Sequence, residues 1–334
     1  MHFSFSEEHD MFRDTVREVF AGECSAEAIR ASWESDDGRV AGLWATLAEV
    51  GVLATMAPTE MGGLGMDEVA SVRLLEEAGY AGVPEPLMEH MAVAVPALAA
   101  ARASQLLDPA LSGQSTVTLA LASGGPNVVA AASADLVIAE HAGSLLAVDS
   151  QAVTVEPRDS IDESRRLFEI RFDPGAAEPL VGADLALAAD RAALGTAAQC
   201  VGVARRLLDT TVEYVTERRQ FGKPVGTYQA VKHRLADVRL GIEFSAPLVY
   251  RAAWTVAHCD DALLRGRDVS MAKAMASDAV DRACRAALQC HGAIGYTFEY
   301  DLQIWLKRGW SLSGAYGDAR QHRDRVAAAL GLLR

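Results

Sequence analysis

Apolar positions recur with a helical period through the first hundred residues. Ser6, followed by Glu7 and Glu8, predicts a helix start, with a hydroxyl to accept a free N–H and acids at the positive end. Phe12, Val16, Val19 and Phe20 then fall on one helical face, and Leu43, Leu47, Val50 and Leu53 repeat the pattern. The run Pro58-Thr59-Glu60-Met61-Gly62-Gly63-Leu64-Gly65 breaks the periodicity as a glycine-rich loop. Asp67 predicts the cap of a further helix carrying Val72, Leu75 and Ala78, which Pro84 and Pro86 end.

The middle third changes period. Short apolar or alternating runs start at Val117, Leu136, Leu145, Ala152 and Leu167, punctuated by Gly, Pro, Asn and Asp. They predict a small antiparallel β-domain, short for a closed barrel that also holds a cofactor. From Ala183 the helical period returns. Leu194, Val201, Leu208 and Val215 stand seven apart, a buried stripe on one long helix. Further helices are expected from Tyr228 to about Cys259, from Val269 to about Gln289, and near the C-terminus, an up-and-down bundle. The expected fold class is mainly α with a small β-domain. It comprises an N-terminal helical domain over 1–112, a reduced antiparallel β-domain over 113–182, and a C-terminal four-helix bundle over 183–334.

Composition narrows the function. The chain has 334 residues, 50% of them apolar, enough for two or three domains. Its net charge of −14 argues against nucleic-acid binding, so an anionic ligand needs a local basic pocket. The five cysteines are odd in number and show no Cys-x-x-Cys spacing. No disulfide framework and no metal site are expected, and a reducing compartment is. Cys290-His291 is read as packing. The N-terminal stretch has no basic region leading into an apolar block, and the apolar run Met91–Ala101 is broken by Pro96. A soluble, cytoplasmic protein with no membrane span is expected.

Candidate chemistry concentrates between Glu217 and His233. A Gly/Pro connector there carries Arg218, Arg219, Gln220, Phe221 and, downstream, Gln229. Guanidinium forks suit a pyrophosphate, and amides can read the edge of an adenine or flavin ring. The same arginines would also suit a plain helix C-terminus, where a cation meets the negative end of the dipole.

Three motifs together resemble the acyl-CoA dehydrogenase family over nearly the full length. They are Arg218-Arg219-Gln220-Phe221-Gly222-Lys223-Pro224 with Gln229, the run Gln289-Cys290-His291-Gly292-Ala293-Ile294-Gly295-Tyr296, and the Pro58–Gly65 loop. The second is close to the family's Gln-x-x-Gly-Gly-x-Gly-Tyr/Phe and is followed by the family-like Thr297-Phe298-Glu299-Tyr300. The resemblance implies an FAD enzyme acting on an acyl-CoA thioester. In the family a glutamate removes the α-proton while the β-hydrogen leaves as hydride to the flavin. It further implies that Arg218, Gln220, Phe221, Gln229, Gln289, Gly292 and Ala293 form the trans half of a cofactor site, reaching across an interface to a neighbour's FAD. Gly292 and Gly295 also suit a helix stop.

The chain departs from the family in two places. The Thr-Glu-Pro-x-x-Gly-Ser-Asp-like loop and Trp-Ile-Thr-Asn-like strand that cradle the flavin in cis are missing between Val117 and Phe172. The nearest element is Ser123-Gly124-Gly125-Pro126-Asn127. The family's catalytic glutamate position in Tyr-Glu-Gly-Thr is matched by Tyr316, and a phenol is a poor base. Asp318 follows two residues on. A minority of the family carry the base in a Glu-Arg pair at the start of the C-terminal domain, matched here by Asp190-Arg191. Asp190 is therefore the candidate catalytic residue, or simply an acid near a helix N-terminus. The whole pattern resembles the short subunit of actinobacterial α2β2 heterotetramers of the steroid-degradation type. There a full-length partner binds FAD and supplies the base, and the substrate is a bulky sterol-CoA ester. The alternatives are a self-sufficient acyl-CoA dehydrogenase using Asp190, or a non-catalytic helical scaffold.

Overall fold

The computed structural model describes residues 4–332. Met1–Phe3, part of the N-terminal stretch discussed above, and residues 333–334 lie outside it. The N-terminal region comprises α1 (Glu7–Glu23), α2 (Ala26–Glu34), α3 (Leu43–Glu49) and α4 (Glu68–Ala81). A π-helical turn over Met88–Ala94 then runs into α5 (Val95–Ala100), and α6 (Ser104–Leu111) follows. The expected caps are in place: Ser6 accepts from the His9 N–H, and Asp67 from those of Val69 and Ala70. Gly82, at φ +79°, stops α4 before Pro84.

Seven strands follow: β1 (Val117–Ala120), β2 (Val128–Val129), β3 (Leu136–His141), β4 (Ser144–Asp149), β5 (Val153–Arg158), β6 (Leu167–Phe172) and β7 (Glu178–Pro179). They form two sheets, ordered β1-β3-β4-β7 and β2-β6-β5. The sheets are not wholly antiparallel, because β1 pairs with β3 in parallel. The connection between them runs through β2, which pairs in the other sheet. Alternation on β3 and β4 does two jobs. Leu136, Ile138, Leu145 and Ala147 face the main core, while Val137, Ala139, Leu146 and Val148 face the second sheet.

The C-terminal region holds α7 (Leu185–Glu217), a short hairpin of β8 (Arg219–Gln220) and β9 (Lys223–Pro224), α8 (Gln229–His258), α9 (Ala262–His291), α10 (Leu302–Gly314) and α11 (Ala319–Ala329). The expected stripe of Leu194, Val201, Leu208 and Val215 is buried. The third long helix begins seven residues earlier than the periodicity suggests, because Asp261 caps it through the N–H groups of Leu263 and Leu264. The expected single C-terminal helix is two, with α11 started by a reciprocal Asp318–Gln321 capping box.

The helical regions are fused closely. A Cβ on Gly79 of α4 would collide with the Gln199 backbone, and one on Gly202 of α7 with that of Glu76. Only glycine lets these two helices cross at that distance. His90 ties the π-helical turn to α6 and to the sheet: its Nδ1 accepts from the Val117 N–H at 3.0 Å, and its Nε2 lies 3.1 Å from the Ala110 carbonyl.

Candidate functional site

α7 ends at Arg218, whose backbone turns extended (φ −64°, ψ 121°) while its N–H still closes the last turn on Tyr214 O. The chain then reverses in a two-residue hairpin. Phe221 and Gly222 sit at its tip with φ of +52° and +82°, the geometry of a type I′ turn. A phenylalanine in this left-handed region is strained by roughly 1–3 kcal/mol. Its ring is also 93% exposed. The hairpin is braced from below. Tyr228 donates its hydroxyl to Gln220 O at 3.3 Å, and the Lys223 ammonium lies 4.3 Å from the centre of the Tyr228 ring. The Val225 N–H donates to Arg218 O at 2.7 Å.

The second motif closes the same end of the bundle. α9 ends at His291, and Gly292 follows with φ +65°. The His291 ring stacks on Tyr214 with centroids 4.2 Å apart, and the Tyr214 hydroxyl reaches His291 O at 3.4 Å. Tyr214 lies one turn before Arg218, so this stack pins the two motifs to each other. The expectation that His291 is a packing residue holds for its ring, which is buried. Sequence reasoning missed its partner Tyr214, because an aromatic one turn inside a helix end reads as core. His291 Nε2 is buried without a hydrogen-bond partner among the described residues.

Gln229 opens α8 and Gln289 lies in the last turn of α9, and these helices are antiparallel neighbours joined by a three-residue loop. A groove of about 640 Å³ runs between them just inside those glutamines. It is lined by His233, Arg234, Arg282 and Arg285 together with Asp237, Asp278 and Asp281. Arg285 pairs with Asp281 at 2.8 Å. Arg218, Gln220, Phe221, Gln229, Gln289, Gly292 and Ala293 are all exposed. The structure therefore gathers these sequence-predicted residues at one end of the bundle, facing outward. Guanidinium and amide side chains are thereby exposed together at that end.

Asp190 lies elsewhere. It sits 28 residues before Arg218 on the same helix, about 42 Å away at 1.5 Å per residue. Its carboxylate is 3% exposed. Oδ2 accepts from Arg265 Nε at 2.9 Å, and Oδ1 from Arg325 at 3.0 Å. The neighbouring Arg191 turns the other way, to Glu68 at 2.6 Å. Both Asp190 oxygens are thus committed to guanidinium groups that join α7 to α9 and α11.

Tyr316 is buried with its hydroxyl on Glu89, on the π-helical turn, at 3.4 Å. Asp318 is the cap of α11. The Ser123–Asn127 segment follows directly on Ala122, whose N–H donates to the Glu140 carboxylate at 2.8 Å. Glu89 was not visible as a site residue in the sequence, since it sits in an apolar run with no motif around it.

Comparison with known proteins defines the class. The family model for the acyl-CoA dehydrogenase N-terminal domain matches residues 6–105, and that for the C-terminal domain matches residues 185–331. The chain is 35% identical to the acyl-CoA dehydrogenase IpdE2 of Mycolicibacterium smegmatis, covering 97% of this chain and 99% of that protein. It is 34% identical to IpdE2 of Mycobacterium tuberculosis, over 90% and 91% of the two chains. This protein belongs to the acyl-CoA dehydrogenase family, whose members are FAD-dependent oxidoreductases. Among solved structures, a chain of the Tcur3481-Tcur3483 steroid ACAD G363A variant superposes with a TM-score of 0.89 at 26% identity, covering 97% of this chain and 98% of that one. A chain of the ChsE4-ChsE5 complex from Mycobacterium tuberculosis shares the fold, with a TM-score of 0.88 at 24% identity over the full length of both. No helix among the described residues is long and apolar enough to cross a membrane.

Proposed function

We propose that this chain is the short subunit of a two-component FAD-dependent acyl-CoA dehydrogenase. In this reading it pairs with a full-length family member in an α2β2 assembly, and its domains divide at 1–112, 113–182 and 183–334. The observation that carries the proposal is the outward-facing cluster of Arg218, Gln220, Phe221, Gln229, Gln289, Gly292 and Ala293. Such a cluster is half of a phosphate-binding site and needs a second surface to be complete. Similarity to a relative of greater length supports the pairing. FadE34 of Mycobacterium tuberculosis is 30% identical over 96% of this chain but only 47% of its own length, leaving a remainder about as long as this subunit.

The donor set fits the cofactor's anionic end. Arg218 would grip the pyrophosphate in a bidentate fork, and Gln229 and Gln289 would hold polar edges of the adenosine end. Phe221 would cover an apolar face and exclude water there. FAD, when bound, accepts the hydride that leaves the β-carbon of the acyl thioester. The residues of this chain position that cofactor, and the proton at the α-carbon is taken by a carboxylate of the partner. Asp190 is assigned a structural role, since it is buried and each of its oxygens accepts from a guanidinium group that ties α7 to another helix. The likeness to a steroid ACAD supports a bulky steroid side-chain CoA ester as the substrate class. The free cysteines suit a cytoplasmic location.

The test is flavin stoichiometry. The co-purified complex should carry one FAD per pair of subunits, and the chain alone should carry none. A flavin-saturated homo-oligomer that turns over acyl-CoA would overturn the proposal.

A further inference from the structure

A cleft of about 250 Å³ lies where the N-terminal helices meet the bundle, between α1, α4, α7 and α10. Phe20, Ala21, Cys24, Ala81 and Trp305 give it apolar walls, and Arg17 and Arg206 line it as well. At roughly 30 Å³ per water its volume is that of about eight waters, room for a molecule the size of benzoate.

The polar groups around the cleft are spent, with one exception. Arg17 donates to both oxygens of Glu77, at 2.6 and 3.0 Å, so that pair is neutral. Tyr80 donates its hydroxyl to Asp209 at 3.1 Å, and Trp305 its indole N–H to the Tyr80 carbonyl at 2.9 Å. Arg205, beside Arg206 on α7, pairs with Glu76. Among the described residues no carboxylate pairs with Arg206, and its buried Nε has no hydrogen-bond partner.

Aromatic rings hold the Arg206 guanidinium instead. Its central carbon lies 4.5 Å from the centre of the Trp305 ring and 5.4 Å from that of Tyr80. Such contacts use the face of the group, whereas its N–H donors lie in its plane and still need acceptors. A half-buried positive charge with an unmet donor calls for an anion. Glu77 already cancels Arg17, so the cleft offers one net charge and matches a monoanion. The planar fork suits a carboxylate, and the walls suit a hydrocarbon body.

We propose that this cleft binds a small monocarboxylate with an apolar body, its carboxylate held by Arg206 and its body by Phe20, Ala81 and Trp305. Arg206 stands 12 residues before Arg218, about 18 Å away at 1.5 Å per residue. The site is therefore separate from the flavin-type cluster, and it stands whether or not the chain pairs with a partner. An occupant ties α1 and α4 to α7 and α10, so binding registers as stability.

The experiment titrates benzoate into the full chain by calorimetry. One site per chain is expected, and at about 100 times its dissociation constant benzoate should raise the thermal midpoint by a few degrees. Benzamide has the same shape without the charge and should bind at least about 10-fold more weakly. Inorganic phosphate should not displace benzoate. Arg206→Met keeps an unbranched side chain and loses the charge, and should weaken benzoate about 10- to 100-fold. Ala21→Phe puts a ring into the cleft from an exposed position on α1, and should block binding even if Arg206→Met does not fold. The proposal fails if benzoate shows no saturable binding up to about 10 mM, or if benzamide binds equally well. It fails too if benzoate binds undiminished to folded Arg206→Met or to Ala21→Phe, or if phosphate displaces it. Arg218→Ala should leave the benzoate affinity unchanged, and its loss there would move the anion to the flavin-type cluster and sink this site. Flavin stoichiometry of the complex tests the subunit reading separately.

Discussion

Arg218 and Phe221 carry the residue-scale argument. Both are exposed, so neither is explained by the packing of this chain. Replacing Arg218 by alanine should weaken flavin retention by the co-purified complex about 10- to 100-fold, the worth of a charged bidentate contact. Arg218→Lys should fall between, because an ammonium keeps the charge and loses the fork. Flavin released on dilution reads both, and full retention in Arg218→Ala would remove the residue from the site. Phe221 makes the opposite prediction for stability. Phe221→Gly relieves the left-handed strain and should leave the chain as stable as wild type or more stable by about 1 kcal/mol, while lowering flavin affinity. A drop in denaturant midpoint would mean the ring is packed, against its exposure. These positions were legible in the sequence because their motif is local. The pairing of Glu89 with Tyr316 was not, because the two stand 227 residues apart and neither lies on a periodic face that demands the other.

At the scale of elements, α7 connects two different sites. Its C-terminal end presents Arg218, and its N-terminal end is locked by Asp190 to Arg265 of α9 and Arg325 of α11. Asp190→Asn leaves the buried Arg265 without its closest counter-charge and should cost about 3–5 kcal/mol. Chemical denaturation of the isolated chain measures this. If Asp190 were the base, the same substitution would instead abolish turnover of the complex with little change in stability. The ion pairs also explain the error in placing α9. Arg265 and Asp268 lie on its buried side, so the helix does not read as amphipathic before Val269. The parallel β1–β3 pair was hidden for a different reason. Alternation specifies which face of a strand is buried and says nothing about the direction of its neighbour.

The whole molecule responds to pH through buried groups that belong to no one element. Burial holds His90 and His322 neutral, with pKa values of about 4 against an ordinary 6.5. The unfolded chain takes up those protons first, so their contribution to stability is lost as pH falls from about 6.5 toward 4. Protonating His90 would also break its bond from the Val117 N–H, which couples the π-helical turn to β1. Glu85 works in the other direction. Burial pushes its carboxyl up to about 7, so the folded state keeps a proton that the unfolded chain releases above about 4.5. That contribution disappears as pH rises through 7. Glu85→Gln stays neutral and can still accept from the Val40 N–H, the contact Glu85 makes at 2.9 Å. The variant should gain on the order of 2 kcal/mol over wild type between pH 5 and pH 8. Parallel denaturation curves at both values check this, and an unchanged difference would show that Glu85 ionises normally.

The sequence by itself determined the helical and strand periods, most of the caps, and the two cofactor-type motifs, because each is written within a few residues of chain. It also showed where the chain departs from its family, since an absent loop is a local fact. Only the tertiary structure decided what the polar residues do. Asp190 is drawn into a double ion pair by arginines 75 and 135 residues away, and Tyr316 is turned inward onto a carboxyl from the first third of the chain. A charge costs little in water and much in the interior, so its role depends on which partners the fold brings to it. For the same reason only the fold shows that the Arg218 cluster stays exposed, with none of its side chains spent on the core of this chain.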